Sequence, residues 1–351
     1  MLKILRISIV VCLLFCFSAC STIGYYHQSI SGHFKLISKR EPIADIVNDS
    51  QRDAHLVDKL HLSQELRNFA SQRLNLPDND SYRSYVQLEA PYVTWNVFAA
   101  PQFSISLNQW CFLVIGCVPY RGYFEQQEAE AYAEHLALQG QDVYVAGVPA
   151  YSTLGWFDDP LLSSMIDRGE LVTAAYIFHE LAHQQFYLNG DGAFNEAFAT
   201  AVEEIGVLLW LKSQDRTEDI ENYENFLKQK YIFFDFIKKS RDEFEVLYQQ
   251  EFDAEKMQAE KEILIAEMRR KFSNLSAKSK HIARYTKWMS GPLNNAQLGV
   301  ISLYRELVPA FHNLFTMCDD NFDRFYAQVE IIAKMPEEQR IDALQTASKC
   351  T

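Results

Sequence analysis

Positive charge is scarce in this 351-residue chain: 33 lysines and arginines face 46 aspartates and glutamates, a formal charge of −13. A surface so short of cations cannot displace the counterions that drive nucleic-acid binding, which excludes DNA and RNA as partners. Attachment to a membrane through basic residues is excluded on the same ground. No apolar run reaches the roughly 20 residues that a spanning helix needs, and the longest, residues 7–19, falls short. Cys-x-x-Cys spacing is absent, so a thiolate zinc site is excluded. Neither a repeat of fixed period nor a low-complexity linker divides the chain. The apolar content, 48% with 13% aromatic residues, is that of a globular protein with a substantial interior, arranged as one large domain or two closely packed ones.

The N-terminus carries Lys3 and Arg6, then the apolar run, then small residues ahead of a cysteine. That order predicts a cleaved secretory signal over residues 1–19. Phe17-Ser18-Ala19-Cys20 resembles a bacterial lipobox, which implies that Cys20 becomes the lipidated first residue of the mature chain. The residue after it is Ser21 rather than aspartate, which in such lipoproteins implies the outer membrane, facing the periplasm. Loss of residues 1–19 removes Lys3 and Arg6, leaving 31 basic against 46 acidic residues and deepening the charge from −13 to −15. The lipid is therefore the expected membrane anchor. Four cysteines remain, Cys111, Cys117, Cys318 and Cys350, and an even set in an oxidising compartment points to disulfides. Of the three possible pairings, Cys111 with Cys117 and Cys318 with Cys350 are the simplest.

Residues 20–150 read as an N-terminal region of helices and a small sheet. Helix-like periodicity at residues 63–74 ends in the breaker cluster Pro77-Asp78-Asn79-Asp80-Ser81. Between about 82 and 148 the texture turns β-branched and aromatic, predicting strands at 92–98, 112–115 and 142–146 and a helix over 126–138. Residues 151–351 form the second region, almost wholly helical from Gly169 onward. Within it, residues 218–272 read as long charged amphipathic helices, an antiparallel pair with a solvated face.

The chemistry concentrates in His179-Glu180-Leu181-Ala182-His183, set in an apolar helical stretch. Histidines at i and i+4 project from one helix face a turn apart and can grip a single ion. Glu180 points to the side of that pair, placed to act as general base toward an attacking water. A catalytic zinc takes three protein ligands, so a third must return to the same place. The helix should continue about five residues past His183, or roughly 8 Å, before Asn189-Gly190-Asp191-Gly192 turns the chain. The next helix climbs back, and about four residues in it brings Glu196 level with His183. Glu203, seven residues on, shares the face of Glu196 and can accept the free N–H of a ligand histidine.

Asn195-Glu196-Ala197-Phe198-Ala199 through Glu203 resembles the corresponding helix of zinc aminopeptidases of the gluzincin group. There the first Glu ligates zinc and the one seven later supports a ligand histidine. Twelve residues lie between His183 and Glu196, fewer than in the best-known members, so the joining element must be shorter. Tyr25-Tyr26-His27-Gln28, Tyr120-Arg121-Gly122-Tyr123-Phe124, residues 150–161 and Pro292-Leu293-Asn294-Asn295-Ala296 resemble a bacterial lipoprotein family of predicted zinc aminopeptidases. The resemblance implies one Zn²⁺ ion, a peptide substrate, and a downstream Tyr or His to stabilise the oxyanion. Tyr285, Tyr304 and His312 follow at suitable distances, although tyrosines at such positions more often simply pack. Glu203, Glu204, Asp158 and Asp159 are available to bind a free α-ammonium, and residues 151–159 read equally as cleft wall or as a tight turn. The strand at 92–98 offers an edge for an extended peptide.

The expected fold is α+β, a predominantly helical zincin-like catalytic part beside a small, mainly antiparallel sheet. The expected function is zinc-dependent peptide hydrolysis in the periplasm, by an aminopeptidase. The alternatives are an endopeptidase acting on envelope proteins or cell-wall peptides, and a non-catalytic, partner-binding lipoprotein with a vestigial zinc site.

Overall fold

The computed structural model describes residues 23–112, 116–302, 307–346 and 350. Residues 1–19, Cys20 and Tyr304 lie outside them, as do residues 113–115 of one expected strand. Helix α1 spans residues 23–38. Strand β1 (Glu41–Pro42) and helix α2 (Ile43–Asn48) lead into α3 (Ala54–Arg73), whose first turn is closed by the Asp53 carboxylate accepting from His55 and Leu56 N–H. Strands β2 (Ser84–Val86), β3 (Thr94–Pro101), β4 (Trp110–Phe112), β5 (Gly116–Val118) and β6 (Arg121–Tyr123) precede helix α4 (Gln126–Leu138) and strand β7 (Gln141–Val148).

Strand β3 is the centre of an antiparallel sheet in the order β6-β3-β7. Successive side chains of a strand face opposite ways, and here both faces are covered. Val97 and Ala99 pack with Ala129, Ala133 and Leu136 of α4, while Phe98 and Ala100 pack with Ala296. Strands β4 and β5 form a separate antiparallel hairpin closed by the Cys111–Cys117 disulfide. A third sheet sets β2 antiparallel to β1 and parallel to β8 (Leu161–Leu162).

After the short α5 (Ser163–Ile166) the chain is helical throughout its described length. Gly169, at φ +100°, turns it into α6 (Glu170–Gln185), followed by α7 (Gly192–Ser213). The long pair α8 (Thr217–Tyr248) and α9 (Ala254–Ser276) doubles back through Asp253, whose carboxylate accepts from Lys256 N–H. Phe233 meets Phe272 across the pair, and Lys271 reaches Glu243 at 2.7 Å. Helices α10 (Lys280–Ala283), α11 (Thr286–Ser290), α12 (Asn295–Ser302), α13 (Val308–Met317), α14 (Phe322–Ala333) and α15 (Glu337–Thr346) complete the fold, and Cys318 is bonded to Cys350. The class is the expected one, α+β and predominantly helical with small, mainly antiparallel sheets.

The largest core cluster draws side chains from both sides of residue 150, from Leu36 and Leu66 through Phe178, Phe198 and Phe311 to Leu344. At its centre α7 lies so close to α3 and α6 that a Cβ on Gly206 would stand 2.7 Å from both Leu74 and Phe178. A second cluster, around Phe233, Phe244 and Met268, holds α8 and α9 against α10–α12. No helix among the described residues is long and apolar enough to cross a membrane.

Candidate metal centre

Helix α6 buries Ala174, Ile177, Phe178, Leu181 and Ala182, which leaves the His179 and His183 imidazoles directed toward α7. The helix ends at Gln185, sooner than expected, because Phe186 turns to extended backbone and packs against Phe194 and Phe198 of α7. Gly190, at φ +86°, takes the sharpest bend of the connection, a conformation costly for a residue with a Cβ. Asn195 then clasps the loop: its amide oxygen accepts from Leu188 N–H at 2.7 Å and its amide nitrogen donates to Leu188 C=O at 2.8 Å. Asp191 caps α7 through Phe194 N–H and is held in turn by Arg340 of α15 at 2.6 Å.

This clasp sets Glu196, one residue beyond Asn195, against both histidines. Its two carboxylate oxygens lie 3.4 Å from His179 Nε2 and 3.5 Å from His183 Nε2, and the two Nε2 atoms are 3.2 Å apart. His179, His183 and Glu196 form the one cluster of potential metal ligands of this kind among the described residues. A tetrahedral ion with bonds of about 2.0–2.1 Å separates its ligand atoms by roughly 3.3 Å; here one donor atom from each residue lies within 4.8 Å of the others, a cluster that a small inward shift would close round a zinc-sized cation. Glu203 Oε2 lies 3.1 Å from His179 Nδ1 and accepts its N–H, which fixes that ring so that Nε2 points inward.

The titration of the cluster reflects its crowding. Burial alone would lower the His179 pKa, but hydrogen bonds to Glu196 and Glu203 outweigh it and raise the value well above the usual range. For Glu196 burial acts upward, and the charges and hydrogen bonds of His183 and His179 overcome it, holding the carboxylate ionised far below the usual range. Burial raises the pKa of Glu180, opposed by the two histidines and by a hydrogen bond with Ser152.

Around Glu180 the structure gathers groups from distant parts of the chain. Asp159 is buried, and accepts from Thr153 N–H and Thr153 Oγ1, each at 2.8 Å, while burial pushes its pKa up to about 6. Its backbone carbonyl accepts from Tyr82 N–H at 2.7 Å, and Ser81 Oγ accepts from Gln184, the residue after His183. Tyr82 and Tyr120 both have phenol pKa values raised, by burial first and then by nearby carboxylates: Glu180 and Asp159 for Tyr82, Glu196 for Tyr120. Spacing marks neither tyrosine for the site. Tyr120 sat in a motif of the family resemblance, and nothing local to Tyr82 marks it beyond the preceding turn cluster.

Other expected candidates lie elsewhere. Tyr285 stacks on Phe233 at 3.8 Å within the second core cluster. Glu204, one residue beyond Glu203 and so turned away from His179, is buried and bound by Lys230 at 2.6 Å, Tyr231 at 2.5 Å and His312 at 2.9 Å. Burial would raise its pKa, yet the Lys230 charge and these hydrogen bonds bring it down to about 2. His312 and Glu204 thus engage each other and Lys230 rather than the three-residue cluster. Asp158 is exposed, and its carbonyl accepts from Arg40 at 2.8 Å. Strand β3, proposed above as a peptide edge, is flanked on both sides by β6 and β7.

A family model described as "Putative aminopeptidase" matches residues 24–344, nearly the whole described chain. No curated protein and no solved structure matches it.

Proposed function

This chain belongs to the aminopeptidase family whose model spans it, which supports a peptidase, and from that premise we propose a zinc-dependent aminopeptidase exported to the periplasm and anchored by a lipid on Cys20. The observation that carries the zinc reading is the convergence of three side chains: the two histidine Nε2 atoms lie 3.2 Å apart, and each lies 3.4–3.5 Å from one oxygen of Glu196. Two imidazoles, with the His179 proton given up to a bound cation, and one carboxylate suit zinc and leave a position open for chemistry. Export is supported by the apolar leader and by two disulfides, which persist in oxidising compartments.

Zinc bound there would act as a Lewis acid on the scissile carbonyl and acidify the attacking water. Glu180 takes the proton of that water and passes it to the leaving amine. Its raised pKa suits both halves of the task, because a base closer to neutrality also returns the proton more readily. Glu203 holds the His179 ring, and Ser152 orients the Glu180 carboxylate.

Elemental mass spectrometry of the purified chain tests the site. One equivalent of zinc in the parent and none in His183→Ala is the expected result; a parent and variant equally free of metal would overturn the zinc reading. Hydrolysis of a peptide with a free N-terminus but not of its N-acetylated form is the expected signature of aminopeptidase action, and equal hydrolysis of both forms would make the protein an endopeptidase.

A further inference from the structure

Twelve large apolar side chains stand exposed among the described residues, and five of them gather on one side of the molecule. Ile23 (67% exposed), Ile30 (56%) and Phe34 (61%) lie on α1 at spacings of seven and four, hence on one stripe of the helix. Trp156 (75%) and Phe157 (50%) lie at the tip of the loop formed by residues 151–159. His33 joins the two groups: its ring is 5.7 Å from that of Phe34 and 4.8 Å from that of Phe157, and its Nδ1 meets Tyr151 Oη at 3.0 Å.

The stripe is held outward by a firmly packed inner face. Tyr25 stacks on Phe112 and meets Tyr123 edge-on, and Gln28 exchanges hydrogen bonds with Gly122 C=O and Phe124 N–H. At Gly32 the helix comes so close to Phe124 that a Cβ would stand 2.3 Å from its ring. An exposed apolar stripe on a helix thus fixed is a surface for a partner rather than an unfolded remnant.

We propose that this surface seats in the interface of a phospholipid bilayer, with α1 lying along the membrane and Trp156 and Phe157 inserted beside it. The choice of occupant rests on the lipid attachment proposed for Cys20. Ile23 is three residue steps from Cys20, and an extended chain of that length reaches no more than about 11 Å, so the start of α1 stays at the membrane to which the lipid is fixed. Charge agrees. In a chain of net −13, residues 23–40 contain Lys35, Lys39 and Arg40 and no carboxylate. Lys35 and Lys39 are paired at the rim with Glu125 and Glu89, so apolar insertion rather than net attraction carries the contact. An apolar stripe flanked by basic side chains, with an exposed tryptophan on the adjoining loop, is the make-up of an interfacial helix and its aromatic anchor. The loop that carries Trp156 outward carries Ser152 inward to Glu180, so the bilayer contact and the catalytic helix share one short segment.

The full-length chain, reconstituted into phosphatidylethanolamine/phosphatidylglycerol vesicles with dibrominated acyl chains, tests this through tryptophan emission. Trp95, Trp110, Trp210 and Trp288 are the remaining tryptophans, so the emission lost in Trp156→Phe reports Trp156 alone. Strong quenching of that component, falling several-fold in Ile30→Ser/Phe34→Ser, is the expected result. An unquenched Trp156 overturns the proposal. So does a self-association in detergent that the double variant abolishes without any quenching, which would give the surface to a second copy. A raised KM for a soluble peptide in the double variant, again without quenching, would give it to substrate and overturn the proposal as well. Flotation with the vesicles and the mass of the N-terminal peptide read the Cys20 lipid separately, so the two readings fail independently.

Discussion

The chemistry rests on a few side chains whose neighbours decide their protonation. In the proposed mechanism Glu180 is the base, and Glu180→Gln keeps its size and the Ser152 contact while removing the proton acceptor. Turnover should fall by about 10²–10⁴-fold, the usual contribution of a positioned general base, with zinc content unchanged; steady-state kinetics beside metal analysis checks both. Asp159 allows a thermodynamic test of the pocket wall. Burial raises its pKa from 3.8 unfolded to about 6, so the folded state binds the proton more tightly than the unfolded chain. The resulting stabilisation is fully present below about pH 4 and is lost as pH rises through about 6, on the order of 3 kcal/mol. Asp159→Asn, neutral throughout, lacks this term. The stability of the parent relative to the variant should therefore decline between pH 4 and 7 in urea titrations, and a flat difference would refute the assignment. His179, Glu180, His183, Glu196 and Glu203 were legible from spacing because all fall within two consecutive helices, where the 3.6-residue period fixes which side chains share a face. Tyr82 was not, because it reaches the site by long-range packing that no local period encodes; Ser152 and Tyr120 lie in segments marked as a cleft wall and as a motif of the resemblance, but no local period assigns their side chains a place.

The two helices meet because of how they are joined and how closely they approach. Spacing foretold the turn at 189–192 and the return of Glu196, and it placed the start of α6 and the limits of α4 well. It carried α6 past Gln185, because the aromatic contacts of Phe186 with Phe194 and Phe198 lie beyond the reach of periodicity. The helix α1 and the two-residue strands were likewise hidden, since their order comes from what they pack against. Gly206 sets the approach of α7: a methyl group there would meet Leu74 and Phe178, both fully buried, at 2.7 Å. Phe178 immediately precedes His179, so relief of the clash passes directly into the ligand cluster. Gly206→Ala should cost about 1–3 kcal/mol, the usual range for overpacking, and should also weaken zinc retention. A lower urea midpoint together with faster zinc loss to a chelator is the expected pair of results; unchanged zinc retention at lowered stability would separate the packing of α7 from the geometry of the centre.

Over the whole molecule α6 and α7 are braced by segments remote in sequence, which is why composition and pattern gave the class while leaving the tertiary arrangement open. Phe311 of α13 packs against Phe194 and Phe198, His312 binds Glu204, and Arg340 of α15 holds the Asp191 cap. The Cys318–Cys350 disulfide ties the end of α13 to the C-terminal segment across 32 residues, whereas Cys111–Cys117 closes only 6. Cross-linking removes loop entropy from the unfolded chain in proportion to the logarithm of loop length, so the long link is worth about 4 kcal/mol and the short one about 2. Together they match a large share of the roughly 5–15 kcal/mol by which a typical domain is stable. The proposed export therefore bears on folding as well as on address, because a reducing compartment would withhold both links. Urea unfolding of Cys318→Ser/Cys350→Ser and of Cys111→Ser/Cys117→Ser should show the larger loss in the first pair. Equal midpoints in both variants and the parent would mean that neither link bears load, and would leave the leader sequence as the sole support for export.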